Sequence, residues 1–261
     1  MKFKNLLLYL TSLIAFLLVW ELYCQLIVRN PMFLPPSSRV FATFIELMIF
    51  GRPPSFFLPY DMLYSLFHYS IGFSLALIVG FSMGLITGWI KLANELSYPI
   101  IELIRPIPPI AWIPITILML KLTDAAAGFI IFIGAVFPML LNTRHGVASV
   151  EVRYLEAAMT LGATSSLTLI RKIVIPAALP SIMTGIRVSS GVAWMCVVAA
   201  ELFGVAPYGL GYKIDLARFY LATDIIIAYM IAIGILGLML DRVYRAIEEK
   251  ALAWRVGLVI A

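Results

Sequence analysis

Long apolar stretches dominate the pattern of hydrophobic and polar positions along this chain. A helix needs about 20 mostly apolar residues to cross a hydrocarbon core of about 30 Å. Six stretches approach or exceed this length and predict six transmembrane helices, at residues 6–28, 66–90, 98–120, 125–141, 182–205 and 222–240. Each must be helical, because unpaired backbone polar groups that face lipid are energetically costly.

The third stretch differs from the others because polar residues and prolines interrupt it. It contains Glu102 and Arg105, whose spacing of three allows an ion pair on one helix face. It also contains the prolines Pro106, Pro108, Pro109 and Pro114. Each proline removes a backbone donor and crowds the preceding turn, so we expect a kinked or broken span. The freed carbonyl groups could line a pathway, although a simple kink explains the prolines equally well.

Composition and charge support a membrane protein and exclude several other classes. Of the 261 residues, 62% are hydrophobic and 13% are charged, and the net charge of +5 is too small for a nucleic-acid-binding surface. With a cytoplasmic N-terminus, eleven of the nineteen Lys and Arg residues lie in cytoplasmic segments and six lie outside. The other two, Arg105 and Arg187, lie in or beside spans. This asymmetry predicts that both termini are cytoplasmic, in a multi-pass protein of the cell (inner) membrane.

A few residues within the spans carry chemistry. Cys24 and Cys196 lie in apolar runs, where an isolated Cys behaves as a small buried hydrophobe. His68 is expected to be an interfacial polar residue rather than a ligand. Arg187 and Glu201 lie fourteen residues apart, about 21 Å along a helix, so they can reach opposite membrane interfaces. No metal cluster, catalytic triad or cofactor motif occurs, and we expect no enzymatic activity.

Glycines in the second stretch repeat at intervals of four or eight residues, at Gly72, Gly80, Gly84 and Gly88. This spacing creates a smooth helix face that another helix can approach closely. The partner helix could belong to the same chain or to a second copy.

The connection at residues 142–180, predicted to be cytoplasmic, contains a distinctive local pattern. Strong helix formers at residues 154–161 precede Gly162, which allows a C-terminal cap or a sharp turn. Ser165 and Ser166 offer an N-cap for a second helical piece, which Pro176 is expected to end or redirect. Such a projection suits docking on a partner. An amphipathic connector that lies on lipid headgroups would give the same pattern.

The motif around Glu156, Ala157 and Ala158, with Gly162 four residues further on, resembles the EAA loop of ABC import permeases. The signature of that loop is EAA, three residues, Gly, nine residues, Ile, one residue and Leu-Pro. This chain departs from it in two ways: the segment from Gly162 to Pro176 is one residue longer, and Ile175 replaces the usual Leu. The stretches FLPPSSRV (33–40), RPIPPIAWIP (105–114), GVAWMCVVAAE (191–201) and GLGY (209–212) resemble the nitrate, sulfonate and taurine branch of these permeases.

The resemblance implies an all-α fold of the type I ABC importer permease (MetI-like) class, as one transmembrane domain over residues 1–261. It implies a homodimer that binds two ATPase subunits and receives a small anion, such as nitrate, taurine or an alkanesulfonate, from an extracytoplasmic binding protein. The residues it assigns to ATPase coupling are Leu155, Glu156, Ala157, Ala158, Leu161, Gly162 and Ala163. Candidates for the translocation pathway are Arg105, Pro109, Trp112, Trp194 and Glu201.

ATP chemistry is expected in another chain, so this chain needs no cofactor of its own. A nucleotide-binding P-loop has the form GxxxxGK[ST], and the sequence contains no Gly-Lys pair. Two other classes predict different features. An ATP-independent channel or secondary transporter would show midplane charges or a repeat that relates two halves. A membrane enzyme would need His, Asp or Glu clustered at one face, whereas His68 and His145 are predicted on opposite sides.

Overall fold

The computed structural model describes residues 3–163 and 165–254, and regular structure within these ranges is helical. Lys2 and Arg255, which contribute to the charge asymmetry, lie outside the described residues. The helices are α1 (Phe3–Tyr23), α2 (Ser37–Ile49), α3 (Leu58–Trp89), α4 (Lys91–Ile104), α5 (Ile113–Leu120), α6 (Asp124–Ala148), α7 (Val152–Thr160), α8 (Ser166–Leu169), α9 (Ile175–Leu202), α10 (Leu210–Phe219) and α11 (Thr223–Ala251). π-helical turns at Cys24–Val28 and Ile170–Val174 and a 3-10 turn at Pro109–Trp112 complete them.

Five helical segments within the described residues are long and apolar enough to cross a membrane, or six if one bent pair forms a single span. The bent pair is α4 with the segment Pro109–Leu120, and the bend between them is 85°. The predicted break in the third span is therefore confirmed, and it falls among the prolines that follow Arg105. α6 and α9 extend beyond the predicted apolar limits, so residues 142–148 and 175–180 are helical rather than part of the connection.

The chain divides into two compact units, one formed by residues 1–65 and 208–235 and the other by residues 66–207 and 236–261. In the second unit, the glycine face of α3 packs on α6. A Cβ built on Gly80 would lie 2.8 Å from Cβ of Met139, and one on Gly84 would lie 2.6 Å from Cβ of Thr143. Real Cβ atoms essentially never approach so closely. The glycine face of α3 therefore packs on a helix of the same chain and not on a second copy, the other partner that the glycine spacing allowed.

α6 and α9 form the centre of the second unit, and two apolar clusters fill the space around them. One cluster is Ile113, Ala126, Ala127, Ile130, Ala200, Val205 and Ala206, and the other is Met139, Val147, Val174, Ala178 and Ile182. Small residues such as Ala127 and Ala200 let the helices approach closely, as expected where lipid offers no hydrophobic driving force between helices. This close packing fixes the positions of the polar side chains on α9.

The first unit is held together by polar contacts around α2, a helix within the connection that the apolar pattern left unassigned. Carboxylate oxygens of Glu21 on α1 accept hydrogen bonds from the Ser38 backbone N–H at 3.0 Å and from its hydroxyl at 2.8 Å. Asp224, at the start of α11, accepts from Thr43 at 3.1 Å and from Arg52 at 3.3 Å. These bonds satisfy N–H groups at the start of α2 and a buried carboxylate at the start of α11.

Candidate coupling loop and polar sites within the spans

The helix α7 ends in a hydrogen-bonded glycine cap. The backbone N–H of Gly162 donates to the Met159 carbonyl, and that of Ala163 donates to the Ala158 carbonyl, each at 3.0 Å. This pair of bonds is a Schellman motif, and Gly162 occupies its left-handed position with φ +91°. Leu161, beside it, is 89% exposed. The cap turns the chain sharply and presents an apolar side chain to the outside.

The return from this turn begins as the sequence predicts and then departs from the prediction at Pro176. The Ser165 side chain caps α8 by accepting from the Thr168 N–H at 3.2 Å. The expectation that Pro176 ends or redirects the helix is wrong, because α9 begins at Ile175 and runs through it. Proline is tolerated there because the wider π-helical turn Ile170–Val174 runs directly into α9 and changes the bonding pattern before Pro176.

The extra residue in this loop coincides with the π-helical turn Ile170–Val174. A π-turn bonds i to i+5 and so accommodates one residue more than an α-helical turn does. The lengthened segment from Gly162 to Pro176 is therefore absorbed locally, and α9 continues in regular register after it.

A groove of about 820 Å³ lies between α7, the glycine turn and the start of α9. Five of the predicted coupling residues line it: Ala157, Ala158, Leu161, Gly162 and Ala163. Leu155 instead packs against the second apolar cluster, and Glu156 is exposed outside the groove. Lys172 and Trp254 also line the groove, and sequence reasoning missed both. No local pattern could reveal Trp254, since it follows the last helix and is 92 residues from Gly162 along the chain.

A polar cluster lies where α3, α6 and α9 meet, with two members closed to solvent and the third, Asp124, 48% exposed. His68 Nδ1 lies 2.8 Å from Glu201 Oε1, and His68 Nε2 lies 3.1 Å from Asp124 Oδ1. His68 and Glu201 are both 0% exposed. The expectation of an interfacial His68 therefore misses its role, which is to join two carboxylates from two other helices. The described residues contain no group of three His, Cys, Asp or Glu arranged to hold a metal ion.

A second polar cluster lies on α9 and α11 and is open. Nε of Arg187 donates to Asp241 Oδ1 at 3.1 Å, and Nη1 lies 3.7 Å from Glu248 Oε2. These three side chains line a cavity of about 450 Å³ with Thr184, Val188, Gly191, Val192 and Met195. Arg187 was not among the predicted pathway residues, because its position near a span edge was expected to place it at an interface.

The predicted pathway residues fall into separate places. Arg105, which donates to Glu102 at 2.9 Å as its spacing predicts, lines a cavity of about 200 Å³ together with Pro109. Trp194 lines a smaller cavity beside Arg187. Glu201 belongs instead to the His68 cluster. Trp112, the remaining candidate, ends the 3-10 turn, where its carbonyl accepts from the Thr116 hydroxyl at 2.8 Å.

The bundle of membrane-spanning helices, the broken third span and the capped connecting loop define a class of transport permeases. Residues 72–252 match the family described as "Binding-protein-dependent transport system inner membrane component". The chain belongs to this family, and it is a permease component of an ATP-driven importer rather than an enzyme.

Relatives of known name cover most of the chain. A putative ABC transporter permease, MJ0413 of Methanocaldococcus jannaschii, is 44% identical over 91% of this chain and 88% of its own length. The bicarbonate transport permease CmpB of Synechococcus elongatus is 34% identical (92% and 87%), and the taurine transport permease TauC of Escherichia coli is 31% identical (93% and 88%). These names confirm the resemblance to the nitrate, sulfonate and taurine branch.

A chain of the MetNI methionine ABC transporter, solved in inward-facing conformations, has the same fold. It superposes with a TM-score of 0.62 and 18% identity, covering 72% of this chain and 93% of that one. The all-α permease fold predicted from the sequence is therefore confirmed.

Proposed function

We propose that this permease works as a homodimer that binds two separate ATPase subunits through the loop at residues 155–163. The observation that carries the proposal is the capped turn: an exposed Leu161, a left-handed Gly162 and a groove lined by small side chains. Ala157 and Ala158 let a partner helix approach closely, and the cap holds the turn rigid before the partner arrives. Movement of the ATPase subunits would pull on α7 and so on α9, a pair of packed elements suited to a two-state switch.

Both termini lie in the cytoplasm in this proposal, and ATP is bound only by the partner subunits. The excess of Lys and Arg in the segments on the α7 side supports this orientation. A binding protein would deliver substrate at the opposite face of the membrane.

The cargo we propose is a small oxyanion. Two relatives are named for bicarbonate and taurine, which share a compact, negatively charged oxygen group. Nitrate and alkanesulfonates, expected from the resemblance, belong to the same chemical class. Arg105 and Arg187, the two arginines that line cavities along α9, offer guanidinium donors that match such groups.

Reconstitution into vesicles tests the proposal. The permease, its candidate ATPase and its candidate binding protein should together accumulate one labelled anion from the panel bicarbonate, nitrate, taurine and methanesulfonate, and only with ATP on the ATPase side. Uptake without ATP would support a channel or secondary transporter instead. ATP-driven uptake by a mixture that lacks the binding protein would contradict the importer assembly proposed here.

A further inference from the structure

Arg187 lies near the middle of α9 and is only partly covered by its own chain. It is fourteen residues from Glu201, which is about 21 Å along α9, and twelve residues, about 18 Å, after Ile175. Its side chain is 40% exposed. A charge that faces lipid costs at least about 2.5 kcal/mol, so charged residues in spans normally face a water-filled cavity or the bundle interior. The partners of Arg187, Asp241 and Glu248, lie beyond the apolar stretch 222–240, on the charged end of α11. The exposed face of α9 around Arg187 therefore faces a polar space rather than hydrocarbon.

The ion pairs of Arg187 leave part of its guanidinium available. Such a group carries five N–H donors in a planar fork. Within the part of the chain that the structure describes, the Nε donor bonds to Asp241 at 3.1 Å, while Glu248 lies at 3.7 Å, beyond hydrogen-bond length. The remaining donors can reach the cavity of about 450 Å³ that Arg187 lines.

A second guanidinium-lined cavity adjoins the first along α9. Val192 lines both the cavity of Arg187 and the cavity of about 200 Å³ that contains Arg105. Each arginine is paired with a carboxylate on one side, Arg187 with Asp241 and Arg105 with Glu102. Gly191 adds open space beside Val192, because a Cβ built there meets nothing within 4 Å. Two paired arginines thus flank one short stretch of α9.

We propose that Arg187 is an anion-binding residue. A small oxyanion displaces Asp241 from the guanidinium and then moves past Val192. The proposal rests on the importer function above and assigns its substrate contact. Without an anion, Asp241 neutralises Arg187, so the cavity does not hold an anion permanently. An arriving oxyanion takes the free donors and competes with Asp241 for Nε. Arg105, at the end of α4, offers the next guanidinium, in the adjoining cavity.

Substitutions at Asp241 and Arg187 distinguish this proposal from an ion pair that only stabilises the fold. If Asp241 competes with the anion, Asp241→Asn should increase anion affinity, while Arg187→Gln should abolish binding. If the pair only holds α9 to α11, both substitutions should damage the protein in the same direction. Arg245 also lies 3.3 Å from Asp241. Arg245→Gln is therefore a further variant, which shows whether the gain in anion affinity depends on Arg187 and not on Arg245.

The test is protection of arginine from phenylglyoxal, read by mass spectrometry on the purified full-length chain. Nitrate and methanesulfonate serve as probes, and gluconate at equal ionic strength is the blank. We expect either probe to slow modification of Arg187 about threefold or more, and Asp241→Asn to lower the half-protecting concentration about tenfold, as expected for removal of a charged competitor. Arg218, exposed and paired with Asp215 on α10, is the internal control and should show no protection.

Three outcomes would overturn the proposal: equal modification of Arg187 with and without either probe, an Arg187 that never reacts, or an unchanged half-protecting concentration in Asp241→Asn. The measurement needs no ATPase, so it fails separately from the proposed function. Loss of protection with intact ATP-driven uptake would remove only this assignment. Protection without any ATPase binding would leave an anion site in a chain whose coupling has been misassigned.

Discussion

Glycine is required in two regions of this protein for opposite reasons. On α3, Gly84 packs so tightly on α6 that a Cβ would lie 2.6 Å from Thr143 Cβ and 2.7 Å from the Leu140 carbonyl oxygen. In the loop at residues 155–163, nothing lies within 4 Å of a Cβ placed on Gly162, and only its φ of +91° favours glycine. On α3, glycine is needed because a larger side chain would have no space against α6. In the loop, glycine is needed for the backbone conformation, and the space around it is open.

The charged clusters repeat this contrast. His68 and Glu201 are completely buried, and both imidazole nitrogens face carboxylates. Arg187 is held from one side and faces a cavity from the other. A closed cluster contributes to the fold, while an open one remains available for a ligand. Substitutions in closed regions should therefore reduce stability, and substitutions in open regions should reduce function in a folded protein.

The largest effect is expected for Gly84→Val. Its branched side chain has no space against α6, and such overpacking costs about 1–3 kcal/mol or more. Thermal unfolding of the detergent-solubilised chain should occur at a clearly lower temperature, with a lower yield of folded protein. Gly234→Ala on α11 is the control, since nothing lies within 4 Å of its Cβ, and it should unfold as the unmodified chain does. Equal stability of the two variants would remove the distinction between tight and open glycines.

A somewhat smaller effect is expected for Glu201→Ala. Removing one partner of a buried hydrogen bond costs about 1–3 kcal/mol, because the other group is left without that partner. Part of this cost is relieved here because Asp124 still faces His68. Unfolding temperatures of Glu201→Ala, His68→Ala and the double variant give the coupling between the two residues. The double variant should lose much less than the sum of the single losses. Additive losses would mean that the two groups do not interact in the folded protein.

The smallest effect is expected for an ion pair outside the spans. Arg52 donates to Glu46 at 3.0 Å, and this hydrogen bond lowers the pKa of Glu46 below its ordinary value of 4.5. A lowered carboxyl pKa stabilises the folded chain above pH 4.5, and this contribution is lost as the pH falls from 4.5 through the lowered pKa of the folded chain. The unmodified chain should unfold slightly above Glu46→Gln at pH 6, and the difference should shrink as the pH is lowered below 4.5. A difference that does not shrink with pH would assign the effect to something other than the charge.

Local features of the fold could be predicted from the sequence, and contacts between distant helices could not. Apolar length predicts the spans, the prolines after Arg105 predict the break, and Gly162 and Ser165 predict the two caps, because each effect depends on neighbours within a few residues. The partner of His68 lies 133 residues away on α9. Periodicity indicates which face of a helix is polar but not which other helix meets it.

Pro176 shows a different limit. A proline ends a helix or begins one according to its position, and this depends on the π-helical turn before it, which the composition does not reveal. The glycine cap of the candidate coupling loop was accordingly predicted, while the part of the groove wall formed by Lys172 and Trp254 was missed. That the loop binds an ATPase stays a prediction. The pathway residues were predicted from motif resemblance, which grouped Glu201 with Arg105 and Trp194. In the folded chain Glu201 instead lies beside His68, away from the cavities that Arg105 and Trp194 line.

The most direct test of the account is retention of the candidate ATPase by the purified permease carrying Gly162→Asp or Glu156→Lys. Glu156 is exposed, so Glu156→Lys should unfold close to the unmodified chain. Gly162→Asp strains the left-handed turn, although Asp tolerates positive φ better than most residues, so its unfolding temperature is measured alongside. Retention of the ATPase should fall about tenfold or more, as for a central interface residue, while Glu95→Lys, an exposed charge reversal on α4, should retain it. An ATPase that stays bound to both variants, with unchanged substrate-stimulated hydrolysis, would contradict the assignment of this loop as the coupling element.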